Sequence, residues 1–129
     1  MAQTNTATAG IDTSKTKLDV AVHGGGKAWR VENAEAGWRK LASELKSRGV
    51  TRVGIEASGG YERGVVRHLR AEGFTVLVLQ PLQVKAYARM RLQRAKNDAK
   101  DAGMIAGCAA ELPDPRLPPD PRLEELAAI

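Results

Sequence analysis

The strongest constraint on the fold is a change of hydrophobic period partway along the chain. Over residues 17–23, apolar and polar side chains alternate, as in a β-strand with one buried face. After Asn33 the apolar residues recur at helical spacing instead, at Trp38, Leu41, Ala42 and Leu45. The chain is therefore predicted to begin with strands and to continue with helices that pack against them.

The remaining segments extend this pattern to the order βββ-α-β-α-β-α. The glycines at 24–26 predict a turn between the second and third strands, which makes the first three strands an antiparallel meander. The predicted strands are residues 9–13, 17–23, 27–31, 52–57 and 74–79. The predicted helices begin after Asn33 as an N-cap, after Gly59 and Gly60, and at Pro81. The last of the three is a helix or a helix pair, and a helical pattern resumes at Asp98.

This order of elements is that of the ribonuclease H-like (RuvC-like) fold, an α/β fold with a mixed five-stranded sheet flanked by helices. In that fold the fourth strand lies parallel to the first and beside it, about 4.8 Å away. The predicted strand at 74–79 is apolar almost throughout, so we expect helices to cover both of its faces.

Four acidic residues carry the predicted chemistry. Asp12 and Glu56 end the two strands that the fold places side by side. Asp98 and Asp101 are three residues apart, so they share one side of the last helix. Four carboxylates at one point are costly unless a divalent cation lies among them. The sequence therefore predicts a metal site that suits two-cation phosphodiester chemistry.

Each acid taken alone has a simpler explanation. Asp12 could form an Asx turn, and Glu56 could cap the helix that follows it. Asp98 and Asp101 could simply complement a helix dipole. These explanations leave open why acids end two strands that lie together, so the metal site is the preferred interpretation.

A basic segment leads directly into the acidic pair. No acid occurs between Pro81 and Asn97, and the net charge of the chain is +5. Such a surface suits the phosphate backbone of a nucleic acid, although a solvated charged face is the common alternative. The predicted nucleic-acid-binding residues are Lys15, Lys85, Arg89, Arg91, Arg94, Lys96 and Lys100.

Length and composition indicate one domain. With 129 residues the chain is long enough for a single core, and its one cysteine, Cys108, fits a reducing compartment. We expect a disordered N-terminus over residues 1–8, the catalytic domain over 9–111, a proline-rich linker over 112–121, and the start of a further helix over 122–129. Without a signal peptide or a membrane-length apolar run, a soluble cytoplasmic protein is predicted.

Four motifs together resemble those of a known family, the DEDD insertion-sequence transposases, which are bridge-RNA-guided recombinases. They are G-I-D-T-S-K with the following K-L-D-V-A-V, then I-E-A-S-G-G-Y, then Q-P-L-Q-V-K-A-Y-A-R, then A-K-N-D-A-K-D-A. Their order and spacing cover residues 10–110. Asn97 departs from the threonine that is more usual in the family, and the segment before Gln93 is unusual.

The resemblance implies that Asp12, Glu56, Asp98 and Asp101 form a tetrad that binds Mg²⁺, with Mn²⁺ as a substitute. It also implies DNA as substrate, a structured guide RNA as partner, and a homo-oligomer in the full-length protein. In this family a second domain supplies a catalytic serine, so the chain is expected to be an N-terminal domain. A bacterial, nucleoid-associated protein is implied as well.

Three other classes of protein remain open at this point. An actin-like kinase half shares the first Gly-Ile-Asp strand but needs a second phosphate loop and a second lobe. A RuvC-type junction nuclease fits the fold, whereas the linker and trailing helix fit it poorly. A non-catalytic module for nucleic-acid binding or oligomerisation could use the same scaffold without metal.

Overall fold

The computed structural model describes residues 7–92 and 101–112 of the chain. Within them, five strands and four helices follow one another in the predicted order. The strands are β1 (Ala7–Thr13), β2 (Lys17–Val22), β3 (Gly25–Glu32), β4 (Val50–Glu56) and β5 (Thr75–Leu79). The helices are α1 (Glu35–Ser47), α2 (Arg63–Ala71), α3 (Pro81–Leu92) and α4 (Asp101–Glu111).

The strands form one mixed sheet in the order β3-β2-β1-β4-β5. The first three strands pair antiparallel, whereas β4 is parallel to both β1 and β5. The fourth strand therefore lies beside the first and points the same way, which confirms the predicted ribonuclease H-like fold.

Helices pack on both faces of the sheet. On one face α1 and α2 bury Leu41, Leu45 and Leu69 against the apolar side of the strands, including Ile11 and Ile55. On the other face α3 and α4 form a smaller cluster around Leu79, Val84, Ile105, Cys108 and Ala109. None of the helices in the described ranges combines the length and hydropathy that a bilayer crossing requires.

Two glycines bring α4 unusually close to the sheet. A side-chain carbon built on Gly10 of β1 would lie 2.7 Å from the Cα of Ala106 and against the carbonyl oxygen of Ala102. One built on Gly54 of β4 would lie 2.5 Å from the Cβ of Ala109. Since such separations are too short for real carbon contacts, these positions require glycine for helix α4 to pack where it does.

Arg52 holds the other end of the same helix. Its Nε donates to the Ala109 carbonyl oxygen over 3.0 Å, and its Nη2 donates to that of Leu112. A cation at the last carbonyls of a helix also complements the helix dipole. Because the C-terminal end of α4 lies over the start of β4, its N-terminal end lies over the carboxyl ends of β1 and β4.

Several predicted boundaries differ from the structure. Strand β1 begins at Ala7, inside the segment predicted to be disordered, because the Thr8 carbonyl accepts the His23 N–H over 2.7 Å and ties this end to β2. Helix α4 is described from Asp101 onward, and its predicted start at Asp98 lies outside the described residues. The predicted linker beyond residue 112 and the trailing helix also lie outside them.

Two sequence interpretations were wrong or held only in part. Asn33 is not the N-cap of α1: that position belongs to Ala34, which makes no side-chain capping bond. Helices contact both faces of β5, yet this strand is at the edge of the sheet and its Val78 is 37% exposed. An edge position is compatible with an apolar strand only because α2, α3 and α4 pack near it.

Candidate active site

Asp12 and Glu56 are neighbours at the carboxyl ends of two parallel strands. The pairing of β1 with β4 aligns Ile11 with Ile55, so the next residue of each strand is an acid. Both acids lie two residues after the glycines that face α4, and residues two apart share one face of a strand. Both are partly exposed. The structure therefore brings together the first two acids that the sequence singled out.

A third acid extends this row, and sequence reasoning had not assigned it to the site. Asp19 of β2 pairs directly with Asp12 of β1, which puts the two carboxylates on the same face of the sheet. Arg30 of β3 pairs with Asp19 and donates from its Nε to the carboxylate over 2.8 Å. We call Glu56, Asp12, Asp19 and Arg30 the charged row. In the sequence Asp19 falls at a polar position of the alternating strand, between Leu18 and Val20, so it could not be told from an ordinary solvent-facing side chain.

Like charges directly opposite each other on antiparallel strands are destabilising. Asp12 has a carboxylate on each side of it in the charged row, and Arg30 pairs with Asp19. That arrangement attracts cations, because positive charge near the row lowers the electrostatic cost of keeping the acids ionised.

Helix α4 begins over the same end of the sheet. Its Ala102 carbonyl lies against Gly10, two residues before Asp12, so the backbone of Asp101 is at the acidic end of β1. Asp98 lies outside the described residues. Among the side chains that the structure describes, which do not include that of Asp101, no three of His, Cys, Asp or Glu are grouped closely enough to hold a metal ion.

Asn33 holds together the two loops that follow β1 and β4, at the end of the sheet where Asp12 and Glu56 lie. Its amide donates to the carbonyl oxygens of Ser14 over 2.9 Å and of Tyr61 over 3.0 Å. Its own oxygen accepts the indole N–H of Trp38 over 2.8 Å. Thr13 and Ser58 add a hydroxyl contact between the ends of β1 and β4. The residue predicted to cap α1 therefore fixes the two acid-bearing strand ends relative to each other.

Glu62 organises the loop that follows Glu56. Its Oε1 accepts the backbone N–H groups of Ser58 over 3.0 Å and of Gly60 over 3.1 Å. Burial alone would raise the pKa of Glu62, but these hydrogen bonds outweigh burial and lower the pKa. The loop is therefore stabilised at neutral pH and loses this contribution as the pH falls through that lowered pKa.

The predicted basic residues are only partly gathered at the acidic end. Lys15 lies in the exposed turn between β1 and β2, next to the charged row. Lys85, Arg89 and Arg91 are on α3, and all three are exposed. Arg94, Lys96 and Lys100 lie outside the described residues.

Helix α3 contacts the later part of α4. The Cys108 thiol lies 3.8 Å from the Gln83 carbonyl oxygen, and the Tyr87 hydroxyl and ring lie over Gly107. Gly107 is about 9 Å along the helix axis from Asp101, at 1.5 Å per residue. Burial raises the pKa of both Tyr87 and Cys108. Tyr87 therefore has a packing role between α3 and α4.

The strand order, the helices on both faces and the acids at the carboxyl ends of β1 and β4 define a RuvC-like domain. A model of the DEDD transposase family of the IS110 type, described as a transposase, matches residues 9–129. The chain belongs to this family. It is a transposase domain, a nucleic-acid-cleaving enzyme with DNA as its partner, and nucleases of this class generally depend on divalent metal ions.

Solved structures of other proteins are similar to this chain to different degrees. RuvC from Thermus thermophilus matches with a TM-score of 0.50 and 22% identity, covering 85% of this chain and 83% of RuvC. A Pseudomonas aeruginosa protein with similarity to the peptidase YeaZ (TM-score 0.44, 18% identity) covers 70% of this chain and 50% of its own. Pelota from Archaeoglobus fulgidus matches with a TM-score of 0.46 and 11% identity, covering 97% of this chain and 37% of Pelota. The latter two similarities are too weak to bear on function. A search of curated proteins gave no match.

Proposed function

We propose that Asp12, Glu56, Asp98 and Asp101 hold Mg²⁺, or Mn²⁺ in its place, and that the domain acts on DNA phosphodiesters at this point. One observation carries the proposal: Asp12 and Glu56 are neighbours on the face of the sheet over which α4 begins at Asp101. The backbone positions of three residues distant in the sequence thus lie at one end of the sheet, which supports a shared site.

The residues present fit a hard divalent cation. Carboxylate oxygens are the ligands that Mg²⁺ and Mn²⁺ prefer, and Mg²⁺ is usually bound by one or two protein carboxylates together with substrate phosphates. Asp12 and Glu56 are both partly exposed, so a nucleic-acid phosphate has access to them. When bound, the metal would stabilise charge on the phosphate oxygens and orient the attacking group.

The residues of this chain would hold and orient the substrate around those acids. Asn33 and the Thr13–Ser58 contact fix the two strand ends, and Lys15 lies beside them. Lys85, Arg89 and Arg91 on α3 would contact the DNA backbone further from the acids, together with Arg94, Lys96 and Lys100. Contacts of this type position a nucleic acid without reading its sequence.

The finer features of the family are also part of this proposal. A structured guide RNA would select the DNA, a serine from a further domain of the full-length protein would be the nucleophile, and that protein would act as a homo-oligomer. Membership of the transposase family supports these features. The acids at the ends of β1 and β4 would be the platform on which such chemistry depends.

Titration calorimetry with Mn²⁺ tests the metal site. We expect the chain to bind Mn²⁺, and Asp12→Asn or Glu56→Gln to weaken binding at least about tenfold, because even residues that only support a metal ligand contribute that much. Glu35→Gln is the matched control. It removes one exposed carboxylate on α1, which packs on the opposite face of the sheet.

Two results would count against the proposal. Equal weakening by Glu35→Gln would mean that only the overall charge matters. No Mn²⁺ binding by the chain alone or in the presence of a DNA duplex, combined with intact DNA binding, would favour a non-catalytic nucleic-acid-binding module instead.

A further inference from the structure

One pair in the charged row is poorly suited both to stabilising the fold and to binding metal directly. Arg30 and Asp19 are joined at 2.8 Å, yet their side chains are 63% and 44% exposed. Exposed ion pairs contribute little to stability. The carboxylate of Asp19 already accepts a hydrogen bond from the Arg30 guanidinium, whereas the carboxylate of a metal ligand must offer its oxygens to the cation. The pair therefore matters through the donor groups of Arg30 that remain exposed to solvent.

The pair presents a fixed guanidinium fork. Arginine has five N–H donors in a planar arrangement, and Asp19 takes the one on Nε. The two Nη groups remain, and Asp19 is the ion-pair partner of Arg30 within the described part of the chain. A guanidinium anchored through Nε loses less freedom when its Nη groups bind a second anion, and a phosphate matches that fork geometry.

We propose that Arg30, oriented by Asp19, binds a backbone phosphate of the DNA strand on which the acids act. This inference rests on the proposed function. Arg30 is two strands from Asp12, which is about 9.6 Å at 4.8 Å per strand. Successive phosphates of one DNA strand advance by about 3.4 Å along the duplex axis. The Arg30 phosphate therefore lies within about three nucleotides of the scissile one.

Arg30 is a phosphate contact in this proposal, and Asp19 is a positioning residue that acts through it. Their carboxylate–guanidinium pair anchors the Nε of Arg30 and so restricts the directions that the Nη groups can take. Lys15, exposed in the turn between β1 and β2, adds positive charge at the end of the sheet where Asp12 lies. The acids are thus flanked by cations that attract the polyanion without competing for the metal position.

The test is DNA binding by the chain, measured by fluorescence anisotropy with a labelled duplex in EDTA over a series of salt concentrations. Metal is absent, so the result does not depend on metal binding by the acids. We expect Arg30→Ala to weaken binding about tenfold and to lower the salt slope by about one. Asp19→Asn should weaken binding less, about threefold, with the slope retained, because the guanidinium stays but is no longer fixed.

Arg39→Ala is the matched control. Arg39 is a similarly exposed arginine, 66%, paired with Glu35 on α1, whose helix packs on the opposite face of the sheet. We expect its affinity and salt slope to equal those of the wild type. Affinity for Arg30→Ala equal to that of Arg39→Ala would overturn the proposal, whether both are unchanged or both are weakened. A thermal midpoint within about 3 °C of the wild type confirms that each variant is folded.

The outcomes for the two proposals are separable. Loss of DNA affinity in Arg30→Ala together with no Mn²⁺ binding in calorimetry would retain the phosphate contact and remove the metal site. Unchanged DNA affinity in Arg30→Ala together with normal Mn²⁺ binding by the wild type would retain the metal site and remove the phosphate contact.

Discussion

Asp12→Asn is expected to lower metal-dependent DNA cleavage or strand transfer by the full-length transposase about a hundredfold or more. Asp12 is the central acid of the charged row, between Glu56 and Asp19. Bound metal supplies several kcal/mol of transition-state stabilisation, and each 1.36 kcal/mol is a factor of about ten in rate. Loss of the central carboxylate should remove most of that contribution. Asp98→Ala is expected to have a comparable effect.

The same substitution should leave the metal-free protein folded. Asparagine has nearly the same shape as aspartate, and it removes one of several neighbouring negative charges. We expect the thermal midpoint without metal to change by less than about 5 °C, which corresponds to about 1 kcal/mol for a domain of this size. Cleavage at the wild-type rate by folded Asp12→Asn protein would rule out the assignment of this residue.

Gly10→Val is expected to give the largest loss of stability. Its Cβ would meet the backbone of α4, 2.7 Å from the Cα of Ala106, and a backbone cannot rotate away as a side chain can. Overpacking in cores typically costs about 1–3 kcal/mol, and we expect at least the upper end of that range at this position. Since α4 would be forced off the sheet, Asp101 would be displaced from Asp12 as well. Urea unfolding measures the change in free energy.

Gly103→Ala provides the matched control in the same helix. A Cβ at Gly103 meets no atom within 4 Å, and the residue is exposed. Because alanine favours helices over glycine, this variant should be more stable by about 0.5–1 kcal/mol. If Gly10→Val were as stable as the wild type, the close packing of α4 on β1 would be wrong.

The arrangement of strands was predictable because it depends on local patterns. The alternation at 17–23 and the helical spacing after Asn33 give the element order, and this order implies that β4 lies beside β1. Asp12 and Glu56 could therefore be placed together from the sequence. Their neighbourhood in the structure follows from the parallel register of Ile11 with Ile55.

What could not be predicted depends on cross-strand register and on close approach. Asp19 joins the row because β2 pairs with β1 residue by residue, and a shift by one residue would move it to the apolar face. The close packing of α4 on Gly10 and Gly54 could not be predicted from the sequence. Glycine within a strand usually indicates a less stable strand, and nothing in the sequence marks these two as the surface on which a helix packs. Asn33 had the residue type and position of a cap, yet its side chain holds two loops instead.

Anomalous diffraction from crystals of this chain soaked in Mn²⁺ tests the central claim most directly. The metal site predicts an anomalous peak within about 2.2 Å of carboxylate oxygens of both Asp12 and Glu56, the distance typical of a small hard cation. It also predicts that an acid from residues 98–101 completes the coordination. A peak bound only elsewhere, or no peak between β1 and β4 with DNA present, would contradict the account.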